Sequence, residues 1–76
     1  GINISNDLGI GVSSATHKVH IQTNENSIAL FESTDALSLI EIKDSNTSNN
    51  IQLGALTDDL VMRTGLSERV RITSAG

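Results

Sequence analysis

Residues 50–73 read NIQLGALTDDLVMRTGLSERVRIT, and the periodicity of this run decides the fold. Ile51, Leu53 and Ala55 alternate with Asn50, Gln52 and Gly54. Successive side chains of a strand point to opposite faces, so a period of two argues for a half-buried strand. Thr57-Asp58-Asp59 turns the chain into Leu60-Val61-Met62-Arg63. Thr64-Gly65 turns it again, since glycine supplies the positive φ that such turns need. Residues 68–73 alternate cleanly, with Val70 and Ile72 inward and Arg69, Arg71 and Thr73 outward. Gly54, inside a strand, is expected to mark a bulge or a close backbone approach.

Working back from this run, residues 44–50 (DSNTSNN) are the most polar stretch and form a loop or hairpin end. Residues 36–42 are apolar in two phases: Leu37 and Leu39 share one parity, Ile40 and Ile42 the other. That slip predicts either a bulge or a strand apolar on both sides. A helix over 33–43 competes, with Thr34 as its cap and Leu37, Ile40 and Glu41 at helical spacing. The β-branched residues and the neighbouring pattern favour the strand. Residues 27–32 place Ile28 and Leu30 on one side and Ala29 and Phe31 on the other, predicting a strand buried on both faces. Asn24-Glu25-Asn26 is a turn signal, and residues 18–22 alternate with Val19 and Ile21 on one face. Six short strands at spacings near ten residues predict an all-β architecture of short strands and turns. The expected core is Val19, Ile21, Ile28, Leu30, Leu39, Ile51, Leu53, Val70 and Ile72.

Composition agrees with strands and bounds the function. The 76 residues include nine Ile and only one aromatic side chain, Phe31, while Ser, Thr, Asn and Gly supply 30. Strand and turn formers are plentiful, but the bulky aromatics that fill a compact core are missing. With no cysteine there is no disulfide to staple so short a chain, and stabilisation from outside the chain is expected. No apolar run approaches a membrane span, and no basic start precedes an apolar stretch. Five Lys plus Arg against nine Asp plus Glu argue against nucleic acid as a partner. The chain starts without methionine and has glycine at both ends, which reads as a segment of a longer polypeptide.

The two ends carry a resemblance. Glu68-Arg69-Val70-Arg71-Ile72-Thr73-Ser74-Ala75-Gly76 resembles the E-R-M-R-I-T-S-A-G that closes a repeat unit in many bacteriophage tail-fibre and tail-spike proteins. Leu8-Gly9-Ile10-Gly11-Val12-Ser13-Ser14, followed by Lys18-Val19-His20-Ile21, is similar to the N-V-G-I-G-T, spacer and K-L-H-V that open such a unit. Val12 stands where threonine is usual, and the spacer holds Ala15 and Thr16 without proline. The middle, residues 24–64, matches only in style. The resemblance implies one fibre-repeat module over 1–76, with an inter-repeat turn region at 1–16 and a β-strand repeat at 17–76. It implies an elongated, intertwined homotrimer in the virion, outside the cell, joined to other virion tail proteins. A host surface glycan or protein is a further partner it allows.

Candidates for chemistry are weak one by one, and no catalytic, cofactor-binding or metal residues are assigned. His17 and His20 are three apart, which on a strand sends them to opposite faces and fails the alternate spacing of a shared metal site. His20, on the polar side of its strand, is expected to be solvated. Asp58-Asp59, with Asp44, lacks the spacing of a calcium loop, and adjacent strand carboxylates diverge rather than pair for catalysis. Gly9-Ile10-Gly11 is half a dinucleotide fingerprint at best and reads instead as a tight turn between units. Arg63, Arg69 and Arg71 offer a basic stripe for an anionic glycan, but solvated positions or inter-chain salt bridges fit their alternation better. Asn3-Ile4-Ser5 and Asn46-Thr47-Ser48 are glycosylation sequons, relevant only in a eukaryotic secretory setting.

Three functions are therefore weighed: a structural shaft module of a tail fibre or spike, a receptor-binding surface, and a piece of a polysaccharide-degrading tailspike. The third needs a carboxylate pair in a groove, and the second needs exposed aromatics for sugar stacking. The shaft needs only repeat seams, alternating strands and small polar turns. The expectation is a non-enzymatic shaft module serving host attachment.

Overall fold

The computed structural model describes all 76 residues and contains strands and turns with no helix. The chain divides into two compact units, Gly1–Leu30 and Phe31–Gly76.

In the first unit β1 (Leu8–Ile10) pairs in parallel with β2 (Val19–Ile21), Leu8 opposite Val19 and Ile10 opposite Ile21. The Leu8 amide donates to the Lys18 carbonyl at 2.8 Å and the Gln22 amide to the Ile10 carbonyl at 2.9 Å. Parallel neighbours usually need a dozen or more connecting residues, yet here residues 11–18 suffice. Gly11 makes the short return possible. Its φ is +73°, and any Cβ on it would strike the Gln22 carbonyl oxygen. Gly9-Ile10-Gly11 is thus not a tight turn throughout, because Gly9 and Ile10 lie in β1 and the turn begins only at Gly11.

In the second unit β3 (Leu37–Ile42), β4 (Ile51–Leu56), β5 (Asp59–Thr64) and β6 (Ser67–Ile72) form an antiparallel meander in sequence order. The strand reading of residues 36–42 holds, and the competing helix is absent. Register between β3 and β4 is unbroken from Leu37 opposite Leu56 to Ile42 opposite Ile51, so the phase slip is not a bulge. This strand is apolar on both sides. The β4–β5 connection is Thr57-Asp58, with Leu56 paired to Asp59, so Asp59 belongs to the strand rather than the turn. Gly65-Leu66 joins β5 to β6, and both have positive φ, 58° and 63°, as a type I′ hairpin requires.

Two sequence expectations fail here. Residues 27–32 form no strand, because no neighbouring strand offers them a ladder. Ile28, Leu30 and Phe31 are consequently exposed rather than buried, Leu30 at 83% and Phe31 at 69%. The clean alternation of residues 68–73 is also interrupted. Met62 pairs with Val70 while Arg63 pairs with Glu68, leaving Arg69 as the extra residue of a bulge. Val70 and Ile72 keep a common face, but Arg69 no longer shares one with Arg71.

The core expectation needs the larger correction. Val61 is the one buried hydrophobic residue, at 1% exposure. Val19, Ile28, Leu30, Ile51, Val70 and Ile72 are exposed, and Ile21, Leu39 and Leu53 are only half-buried. One four-stranded layer has no second layer to close upon within its own unit, and a single sheet buries little by itself.

Candidate functional site

Paired residues of a sheet share a face, so the register sorts the second unit into two surfaces. One carries Leu37, Leu39, Glu41, Gln52, Gly54, Leu56, Asp59, Val61, Arg63, Glu68 and Arg71. The other carries Ile40, Ile42, Ile51, Leu53, Ala55, Leu60, Met62, Val70 and Ile72, with Ser38, Thr64 and Ser67 at its margins. Nine contiguous apolar side chains with no charge among them make this second surface the outstanding feature of the fold.

That apolar face is open. Ile40, Ile42, Ile51, Leu60, Met62, Val70 and Ile72 are each between 39% and 56% exposed. At ordinary side-chain areas this amounts to roughly 600 Å², the top of the range for the largest apolar patch on a typical monomer. The residue order that builds it was visible only in part. Ile51, Leu53, Val70 and Ile72, expected in the core, lie together on this open face. Leu39, also expected in the core, lies on the other face, paired with Gly54. Ile40, Ile42, Leu60 and Met62 were not among the expected core, although the second parity of residues 36–42 is the signal that marks the first two.

The opposite face is organised by Arg71. Its Nε donates to Glu68 Oε2 at 2.8 Å, its Nη2 to Glu68 Oε1 at 2.6 Å, and its Nη1 to Asp59 Oδ2 at 3.0 Å. Asp59 Oδ1 in turn accepts the Ser74 amide at 3.0 Å, tying the end of the chain to β5. Three residues apart on a regular strand, Glu68 and Arg71 would point to opposite faces; the bulge at Arg69 brings them together. The Arg71 guanidinium holds the Glu68 carboxyl below its ordinary value, and the same hydrogen bonds raise the Arg71 guanidinium further. Arg69 Nε donates to Thr64 Oγ1 at 3.1 Å, and Arg63 Nη2 to the Leu66 carbonyl at 3.2 Å. The three arginines therefore do not line up as a basic stripe, and Arg71 is neutralised within its own chain. A shallow open cleft of about 300 Å³ lies on this side, between Leu37, Leu56, Val61, Arg63 and Glu68. Gln52 Oε1, on the same face of the sheet, is buried without a hydrogen-bond partner.

The remaining candidates separate. Asp59 is engaged by Arg71 while Asp58 sits in the turn, so the adjacent acids do not act as a pair. Asp44 closes the β3–β4 loop: its Oδ1 accepts Thr47 Oγ1 at 2.6 Å and the Asn46 amide at 3.0 Å. Those hydrogen bonds, Thr47 first, hold its carboxyl below the ordinary value. His17 precedes β2, so strand alternation does not govern it. Thr16 instead gathers both rings, its Oγ1 at 2.8 Å from His17 Nδ1 and its amide donating to His20 Nδ1 at 3.1 Å. The rings meet edge to face at 6.3 Å. His20 is thus half-buried and hydrogen-bonded rather than simply solvated. No three His, Asp or Glu side chains converge as metal ligands. An open groove of about 510 Å³ in the first unit, bordered by Asn6, Asp7, Gly9, Val12, Ser13 and Lys18, holds no such cluster either.

No protein-family description, curated protein or solved structure matches this chain.

Proposed function

We propose that this chain is a structural module of a bacteriophage tail fibre or tail spike. Three copies assemble around one axis, and the module holds a distal receptor-binding part away from the virion, serving host attachment. The observation that carries this reading is the open apolar face of a sheet whose last strand, Ser67–Ile72, lies within the stretch resembling a fibre-repeat closing sequence.

Surface area supports an obligate assembly. A compact body of 8.0 kDa exposes roughly 4,500 Å², and two separate compact bodies of the same total mass roughly 5,300 Å². This chain exposes 6433 Å². The excess, on the order of 1,000–2,000 Å², is what a subunit loses on meeting two neighbours at about 800 Å² each. Apolar strands without aromatics or a convergent acid pair suit a shaft better than a sugar-binding or sugar-cleaving surface.

Sedimentation equilibrium of the chain tests the reading. The expected mass is that of three chains, unchanged on moderate dilution. A folded monomer refutes it, and a stable dimer refutes the three-fold arrangement.

A further inference from the structure

We infer that the apolar face of the four-stranded sheet is the inter-chain core, buried against the same face of other copies. The Arg71–Asp59–Glu68 face is turned away. The number of copies rests on the fibre reading above; the choice of face rests on the sheet alone.

Four observations select this face and this occupant. The face is continuous across all four strands, from Ile40 and Ile42 on β3 to Val70 and Ile72 on β6. Its roughly 600 Å² of exposed apolar area approaches the about 800 Å² per partner of a stable interface. It carries no charge, so a self-contact sets no like charges against each other, which contact between copies through the opposite face would have to manage around Glu41, Arg63 and the Arg71 cluster. Finally, with Val61 as its single buried hydrophobic residue, the chain has almost no core of its own. Whatever covers this face must be present whenever the chain is folded, and a copy of the same chain always is.

The sequence supplies its own probe. Met62 is the only methionine, it lies on β5 in the middle of the apolar face, and it is 41% exposed in the single chain. A thioether in contact with peroxide oxidises, whereas one sealed in an interface is protected. The unmodified chain is treated with dilute hydrogen peroxide at a concentration where light scattering shows association. Sulfoxide formation is then timed by mass spectrometry against a free methionine peptide. Met62 is expected to oxidise at least about tenfold more slowly than the peptide. Val70→Asp is expected to reduce the mass to one chain, while Glu41→Lys, on the other face, leaves it unchanged. If Val70→Asp unfolds instead, the peroxide measurement on the unmodified chain still decides.

An associated chain whose Met62 oxidises as fast as the peptide overturns the inference and leaves the fibre reading standing. A dimer with protected Met62 supports the inference and overturns the three-fold reading. A folded monomer overturns both, and if its Met62 is protected, the chain covers the face with itself.

Discussion

Gly54→Ala tests whether the β3–β4 ladder is as tight as its geometry implies. Gly54 lies opposite Leu39 on β3 and Val61 on β5, so it sits between two neighbours in the sheet interior. A Cβ added there would fall inside the Ser38 carbonyl oxygen's contact radius, 2.8 Å from the Ser38 carbonyl carbon and 2.9 Å from Leu39 Cα. All three are backbone atoms, so no side chain can rotate aside. Restoring an ordinary contact of 3.4 Å to the carbonyl carbon alone moves β3 by 0.6 Å, and the nearer carbonyl oxygen demands a larger shift. A ladder hydrogen bond of about 2.9 Å then stretches beyond about 3.5 Å, past the limit of a useful bond. Losing two such bonds costs about 2 kcal/mol and overpacking adds about 1–3 kcal/mol. Alanine's smaller unfolded-state entropy returns about 0.5–1 kcal/mol. The net loss is about 2–4.5 kcal/mol, or a melting temperature lower by roughly 10–35 °C in a domain of this size. Thermal melts followed by far-ultraviolet circular dichroism measure it, at one fixed protein concentration because the proposed association would make the midpoint concentration-dependent. A Gly54→Ala protein that melts within about 2 °C of the parent refutes the reasoning.

Two further changes follow from the turns and carboxylates. Leu66 holds a positive φ of 63° in a type I′ hairpin where asparagine or glycine is at ease, and its side chain is exposed. Leu66→Asn is expected to stabilise by about 0.5–1 kcal/mol, read as a higher melting midpoint; a lower midpoint counts against the turn assignment. Asp44 and Glu68 both titrate below their ordinary values of 3.8 and 4.5. A depressed carboxylate contributes stability that is present above its unfolded value and lost as pH falls through its folded one. The melting temperature is therefore expected to drop as pH falls below about 4, and the Asp44→Asn, Glu68→Gln double variant to show a smaller drop over the same range. Equal drops in the two proteins would assign acid sensitivity to other groups.

The strands of the second unit were legible in the sequence because a period of two survives in each of them. Their partners were not legible, and that is where the reading failed. Residues 27–32 have the composition of a strand, but a strand exists only when another chain segment accepts its hydrogen bonds, and none in this chain does. The Arg69 bulge is likewise invisible in E-R-V-R-I-T, because alternation of residue types continues straight through the position where alternation of faces stops. A bulge is a property of the pair Met62/Val70 and Arg63/Glu68, not of either strand alone. His17 and His20 depart from strand alternation for a similar reason: His17 lies before β2, where Thr16 rather than a ladder sets the ring positions.

The expected core failed more instructively. Alternation identifies which residues share a face, and Ile51, Leu53, Val70 and Ile72 do share one. It does not say what covers that face. The usual step from apolar stripe to interior assumes that the chain supplies its own second layer. Here the opposite face is closed by Arg71 bridging Asp59 and Glu68, above a row in which Gly54 contributes no side chain and Val61 alone is sealed. A sheet with one face finished in ion pairs and the other left wholly apolar is complete on one side only. Ion pairs at this exposure contribute little stability, so they cannot compensate for the uncovered side. On the inference drawn above, the free energy that holds the sheet together lies across the apolar face. The same nine side chains that the single chain leaves uncovered are the ones that would supply it in an assembly.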